Sequence, residues 1–221
     1  MTTLTISDRP AHELKADALV LATVAADGSA ALAAGHGLPR EAADHLGSAL
    51  TALAAKGSAD EVLRLAGVPG VTAAVVVLTG LGEGTAETSA FPAETLRRAA
   101  GAATRALSGV AKVAVALPAA DAESAAAVAE GAALGSYRYA GVRGEKAGTT
   151  KGSRAGRTAR TKAEQDAGPT ALTVVTERAR DRGVKAAVKR AGVLAEATAY
   201  ARDLVNTPPN RLFPQSFADS V

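Results

Sequence analysis

Apolar residues fall along this chain in two alternating rhythms. One is the short unbroken run, and the other is the longer stretch with three- and four-residue spacing. DALVLATV (17–24) is of strand length and nearly all apolar, the pattern of a strand buried on both faces. AAVVVLTG (73–80) reads as the clearest central strand, and VAKVAVALP (110–118) and ALTVVTE (171–177) as two more. Residues 4–6 are a short strand candidate, and EVLRLAG (61–67) is a short peripheral one. The second rhythm predicts helices. Ala43, Leu46, Leu50 and Leu53 form a stripe behind Pro39, which suits a first helical turn, with Glu41 beside the positive dipole end. Leu96, Ala99, Ala103 and Leu107 form a stripe behind Pro92. Asp121 caps a third helix running through Val128 and Leu134 toward Tyr137 and Tyr139. Gly131 and Gly135 lower its propensity and predict a close approach to the sheet.

The last periodic stretch is the longest. Val184, Val188, Ala191, Leu194, Ala201 and Leu204 put one apolar stripe along a single helix. Pro208 stops it, because the residue before a proline is pushed out of the helical region; Thr207 should be extended and the helix should end near Asn206. Pro209 and Pro214 then stiffen a connector whose larger apolar groups are few, chiefly Phe213 and Phe217. A long helix delivering such a connector reads as the joint between two domains. Strands alternating with helices predict a mostly parallel sheet covered on both faces, with right-handed crossovers. The DG pair at 27–28 and GHG at 35–37 punctuate a loop.

Composition changes this picture in two ways. Only 3% of the 221 residues are aromatic, so the core must be built from small aliphatic side chains in close helix–sheet contact. The net charge of +3 is unevenly spread: residues 141–169 hold seven basic and three acidic groups and almost no large apolar residue. That segment reads as an inserted, solvated, flexible basic loop. It lacks aromatic residues to stack on bases, so nucleic acid is not the expected partner. There is no cysteine, which suits a cytoplasmic protein. The longest uncharged run, 66–82, is too short and too rich in glycine to span a membrane.

Candidate chemistry is sparse. His12, His36 and His45 share no metal-ligand spacing and read as solvated or locally bonded. TGLGEG (79–84) follows a strand end, where Gly80, Gly82 and Gly84 could let backbone N–H groups approach a phosphate; an ordinary tight turn is the alternative. The spacing matches neither GxGxxG nor a Walker loop. Ser136 lacks a nucleophile elbow, and Tyr137 and Tyr139, two apart on a helix, face different ways. Glu83, Glu87, Asp121 and Glu123 sit at loops and helix starts, where carboxylates are expected for dipole reasons alone.

ARDLVNTPPNRLFPQSFA (201–218) closely resembles the junction segment of the leucyl aminopeptidases, the cytosol aminopeptidase family of two-metal peptidases. LTGLGEG (78–84), ETLRRAAGAATRAL (94–107) and AEGAALGSYRYAG (129–141) resemble the same family, and the likeness covers most of the chain from about Val75 onward. It implies a three-layer α/β/α N-terminal domain, similar to macrodomains, over residues 1–183. It also implies a linker helix over 184–206 and the start of an absent catalytic domain over 207–221. In that family a lysine, several aspartates and a glutamate of the other half hold two divalent metals (zinc or manganese), and an NTDAEGR segment carries part of the site. Nothing similar to NTDAEGR occurs here, so no catalytic and no metal-binding residue is carried over. The resemblance further implies an intact parent that removes N-terminal residues from peptides and assembles as a hexamer. Its partners would be its own catalytic domain, further copies and peptide substrate, with no membrane. The rival expectation is a freestanding macrodomain-like module for a nucleotide or nucleic acid, for which the junction at 204–217 would have no use.

Overall fold

A computed structural model describes residues 2–85, 87–88, 90–139 and 167–220; most of the basic stretch expected to form a loop lies outside them. Seven strands form one sheet: β1 (Thr3–Ser7), β2 (Ala18–Ala26), β3 (Ser29–Leu32), β4 (Val62–Ala66), β5 (Val75–Glu83), β6 (Lys112–Ala116) and β7 (Ala171–Val175). Their order is β1-β7-β6-β2-β5-β4. Four successive pairings, β1–β7, β7–β6, β6–β2 and β2–β5, are parallel, as expected. β4 is antiparallel to β5, and β3 is antiparallel to β2. β3 is an addition to the expected strands. Asp27 and Gly28 both take positive φ (48° and 80°), the requirement of a tight hairpin turn, so the DG pair folds β3 back onto β2 instead of opening a loop.

The alternation of β2 divides the interior. Ala18, Val20, Ala22 and Val24 join one buried cluster with Val113 and Val115 of β6 and Leu172 and Val174 of β7. Leu19 and Leu21 join the other with Val76, Leu78 and Ala114. Helix α1 (Arg40–Ala52) covers this second face through Ala42, Leu46 and Leu50. Helices α2 (Ala93–Arg105), α3 (Ala122–Ser136) and α4 (Arg182–Asn206) cover the first. The result is the expected α/β architecture, with a mostly parallel central sheet between helical layers. The α1 stripe runs through Ala42 and not Ala43, and Leu53 lies just past the helix, 53% exposed.

Helix α2 keeps its expected stripe, with Leu96, Ala99, Ala103 and Leu107 all buried. Asp121 begins α3 with a capping box: its carboxylate accepts the Ser124 N–H (2.8 Å), and the Ser124 hydroxyl accepts the Asp121 N–H (3.1 Å). The α3 glycines differ from expectation in what they face. A methyl group on Gly131 would run into the Arg97 carbonyl, and one on Gly135 into Thr104 and the Gly101 carbonyl, so both admit helix α2 and not the sheet. Helix α3 ends at Ser136, leaving Tyr137 and Tyr139 beyond it.

Helix α4 ends at Asn206, and Thr207 is extended (φ −74°, ψ 125°), as Pro208 demands. Its apolar stripe is buried only in part: Val184, Val188 and Ala191 are covered, whereas Leu194 is 50% exposed and Ala201 is exposed. Length explains this. Twenty-five helical residues span about 37 Å, while a five-residue strand spans roughly 17 Å, so α4 runs past the sheet that could cover it. A short helix, α5 (Pro214–Ser220), follows in what the sequence presented as an irregular connector.

The close α2–α3 packing makes a paired prediction. Gly135→Ala should destabilise the chain by about 1–3 kcal/mol through overpacking. Gly47→Ala, on exposed α1 surface with open space around it, should stabilise it by roughly 0.5–1 kcal/mol. Urea denaturation of the two variants checks both signs.

Candidate functional site

The three histidines stay apart. His12 Nδ1 lies 3.1 Å from the Gly37 carbonyl, which accepts its N–H, and His36 Nδ1 accepts the Leu38 N–H at 3.1 Å. Both tie down the loop before α1. Burial holds the pKa of His36 below its ordinary value. His45 is exposed on α1. Among the described residues no group of three or more His, Cys, Asp or Glu side chains could hold a metal ion, so these residues do not fit a two-metal centre.

Gly80 and Gly82 lie within β5, and Gly84 follows it directly. Their amides are engaged: Gly80 N–H donates to the Glu61 carbonyl (2.8 Å), Gly82 to Gly57 (3.0 Å) and Gly84 to Ala25 (3.3 Å). A side chain on Gly80 would strike the Ser58 carbonyl. Gly80 and Gly82 let the 57–61 segment close on the strand, and the N–H groups of all three glycines point at protein oxygen. Ser136 is buried, and its hydroxyl donates to the Ala133 carbonyl (2.7 Å), a helix-end bond without a base beside it.

What the fold does assemble is a junction where α3 ends and α4 runs on. The Tyr137 hydroxyl donates to Asp203 Oδ1 (2.7 Å) and accepts from Asn206 Nδ2 (3.2 Å). The Arg202 guanidinium lies over the Tyr137 ring, 3.9 Å from its centroid, a cation–π contact. The Tyr139 hydroxyl pairs with Thr207 Oγ1 (3.0 Å), and that hydroxyl donates in turn to the Asp203 carbonyl. Tyr137 and Tyr139 therefore grip the same helix end. Arg138 between them turns the other way and donates to the carbonyls of Gly135, Tyr137 and Arg105, closing the C-terminal ends of α3 and α2 together. Burial first, and then the Asp203 carboxylate, hold the Tyr137 phenol above its ordinary pKa. These partners lie some 65 residues apart in sequence. The local hint was polar residues at four-residue spacing, Arg202 to Asn206 and Asp203 to Thr207, beside the expected apolar stripe.

At this latch and after it the chain turns apolar groups outward. Val205 is 85% exposed, Phe213 51% and Phe217 46%. Such a run of large exposed apolar side chains marks a surface built for contact.

Comparison with known proteins bears on this junction. The family model described as the cytosol aminopeptidase family, N-terminal domain, matches residues 20–146. A protein named probable cytosol aminopeptidase from Streptomyces griseus subsp. griseus is 44% identical over 220 residues, covering 99% of this chain and 42% of that protein. One of the same name from Streptomyces coelicolor is 41% identical over 222 residues, with the same two coverages. The chain thus spans about two fifths of the length of these curated relatives. Among solved structures, the bottromycin maturation enzyme BotP in complex with Mn superposes with a TM-score of 0.58 at 28% identity, covering 93% of this chain and 35% of that one. A tomato leucine aminopeptidase superposes with a TM-score of 0.62 at 20% identity, covering 99% of this chain and 41% of that one, a likeness of fold.

The latch makes two measurable predictions. Tyr137→Phe should cost about 0.5–1.5 kcal/mol and speed amide exchange in the last two turns of α4 while leaving α2 unchanged. The raised phenol pKa means that the folded chain holds this proton more tightly than the unfolded one. The latch contribution is therefore complete below about pH 10 and falls as pH rises through the folded value; Tyr137→Phe should lose that part of the alkaline decline in a melt-against-pH series.

Proposed function

From the premise that the chain belongs to the cytosol aminopeptidase family and carries its N-terminal domain, we propose that it is the non-catalytic part of a metallopeptidase that removes N-terminal amino acids from peptides. The observation that carries this reading is the junction. Helix α4 outruns its sheet, is latched at its far end by Tyr137 and Tyr139, and leads into a segment on which Val205 is 85% exposed and Phe213 51%. A catalytic domain following α4 is the partner that would bury them, each side chain contributing about 1.5–3 kcal/mol when fully covered.

In this reading the domain is macrodomain-like in form but structural in role. It covers the catalytic domain, shapes subunit contacts in a hexamer and limits which peptides reach the site. Two divalent metal ions, zinc or manganese, would belong to the catalytic domain, where such ions would supply water activation and carbonyl polarisation. The setting is cytoplasmic. The cysteine-free composition and the lack, among the described residues, of a helix long and apolar enough to cross a membrane are compatible with it.

Two outcomes test the proposal. The 221-residue chain, supplied with manganese or zinc, should release no product from leucine anilides; metal-dependent turnover by mass-verified chain would overturn it. Removing residues 208–221, which leaves Thr207 in the latch, should move the melting midpoint by less than about 2 °C, whereas a larger drop would make the tail part of this fold.

A further inference from the structure

We propose that the free edge of β1, together with the adjoining face of α4, is a self-pairing surface that joins two copies of this chain through a continuous sheet. Among the described residues β1 ends the strand order, with β7 on one side only. The Thr3 N–H donates to Thr170, and the Ser7 carbonyl accepts from Thr176, so residues 3, 5 and 7 address β7. Backbone groups alternate along a strand, so the N–H and C=O groups of Leu4 and Ile6 face outward. The strand itself, TLTIS, contains no lysine, no proline and no bulge, the devices that keep sheet edges from pairing. The opposite edge differs, for β4 carries Arg64 at its centre, and the Arg98–Asp60 ion pair lies beside it.

A groove of about 690 Å³ runs along this edge between β1 and α4. Its helical wall presents Lys185, Lys189, Gly192, Val193 and Glu196, spaced to share one face. Lys189 and Glu196 are exposed and form no ion pair among the described residues. Gly192 sits over Leu4: a methyl group there would meet Leu4 Cδ1 at 3.6 Å.

That last contact sets the register. An antiparallel pair of β1 strands related by a two-fold axis at Leu4 pairs Leu4 with its own copy, and Thr2 with Ile6, through the outward-facing groups. The same axis then passes α4 near Gly192 and Val193. The two α4 helices lie antiparallel on one face of the joined sheet, with the half-exposed Val193 at the centre. Lys189 of each copy falls opposite Glu196 of the other, on both sides of the axis. The charges of this face are therefore complementary to themselves, which is what a two-fold contact requires and what argues for a second copy as the occupant. The surface is separate from the apolar run at Val205, Phe213 and Phe217.

Sedimentation velocity of the full 221-residue chain over a concentration series, with amide exchange at Leu4 and Ile6, tests this. The expected result is a species of twice the 21.9-kDa chain mass, with Leu4 and Ile6 amides protected in it. Lys189→Glu and Glu196→Lys should each weaken the dimer at least tenfold and release that protection, and the double swap should restore both. A chain that stays monomeric throughout would overturn the proposal. So would a dimer indifferent to the single swaps, one that the double swap fails to restore, or one abolished by removal of residues 208–221.

Discussion

The backbone-to-backbone packing of α2 on α3 is the contact on which the rest of the molecule depends. With 3% aromatic residues, the core cannot fill wide gaps, and its layers must approach closely. Gly131 and Gly135 allow this by leaving no side chain between α3 and the Arg97 and Gly101 carbonyls of α2. Alanines do the remaining filling: Ala99, Ala100 and Ala103 from one helix, and Ala125, Ala129 and Ala132 from the other, are all essentially buried. The depth at which α3 sits fixes the position of its C-terminal end, and that end carries Tyr137, Arg138 and Tyr139.

Tyr137 and Tyr139 carry that placement on to α4. Its first half is held by ordinary burial of Val184, Val188 and Ala191 against the sheet and α3. Its second half has left the sheet behind and is held by polar contacts instead, chiefly the Tyr137 hydroxyl between Asp203 and Asn206 and the Arg202 guanidinium on the ring. Hydrogen bonds of this kind contribute about 1 kcal/mol each, less than a buried leucine, and they act only in one geometry. They suit a helix that must project at a defined angle without being submerged. The apolar residues past the latch are then presented on a held support.

The sheet order's inner strands, the stripe of α2, the Asp121 cap and the end of α4 at Asn206 were legible because each rests on a local rule. Those rules are continuous apolar runs, i to i+4 spacing, a capping side chain, and the steric demand of Pro208 on Thr207. β3 is not legible from apolar runs: the DG pair marks a turn, and it is positive φ at both positions that makes the turn a hairpin. The stripe of α4 is longer in the sequence than its buried part in the structure. Periodicity reports which residues share a face, and it does not report whether a five-residue strand is long enough to cover that face. The glycines of α3 were rightly assigned to a close approach, but the partner was α2, since one sequence shows the gap and not what fills it. Gly80, Gly82 and Gly84 do lie at a strand end, yet their N–H donors are engaged by Glu61 and Gly57, beside the β4–β5 pairing, and by Ala25 of the paired β2. The Tyr137–Arg202 contact joins positions with no relation in sequence. The resemblance at 201–218 implies a role for the junction, and the physical pattern speaks only to its shape.

The central claim is that α4 presents, on a fixed support, an apolar surface meant for a following domain. Amide hydrogen exchange measures it directly, comparing this chain with a longer polypeptide in which the same residues precede a two-metal peptidase domain. The account predicts equal, strong protection over residues 184–192 in both. Over residues 210–217 it predicts fast exchange in the chain alone and slow exchange in the longer protein. Equal exchange over 210–217 in the two would contradict it.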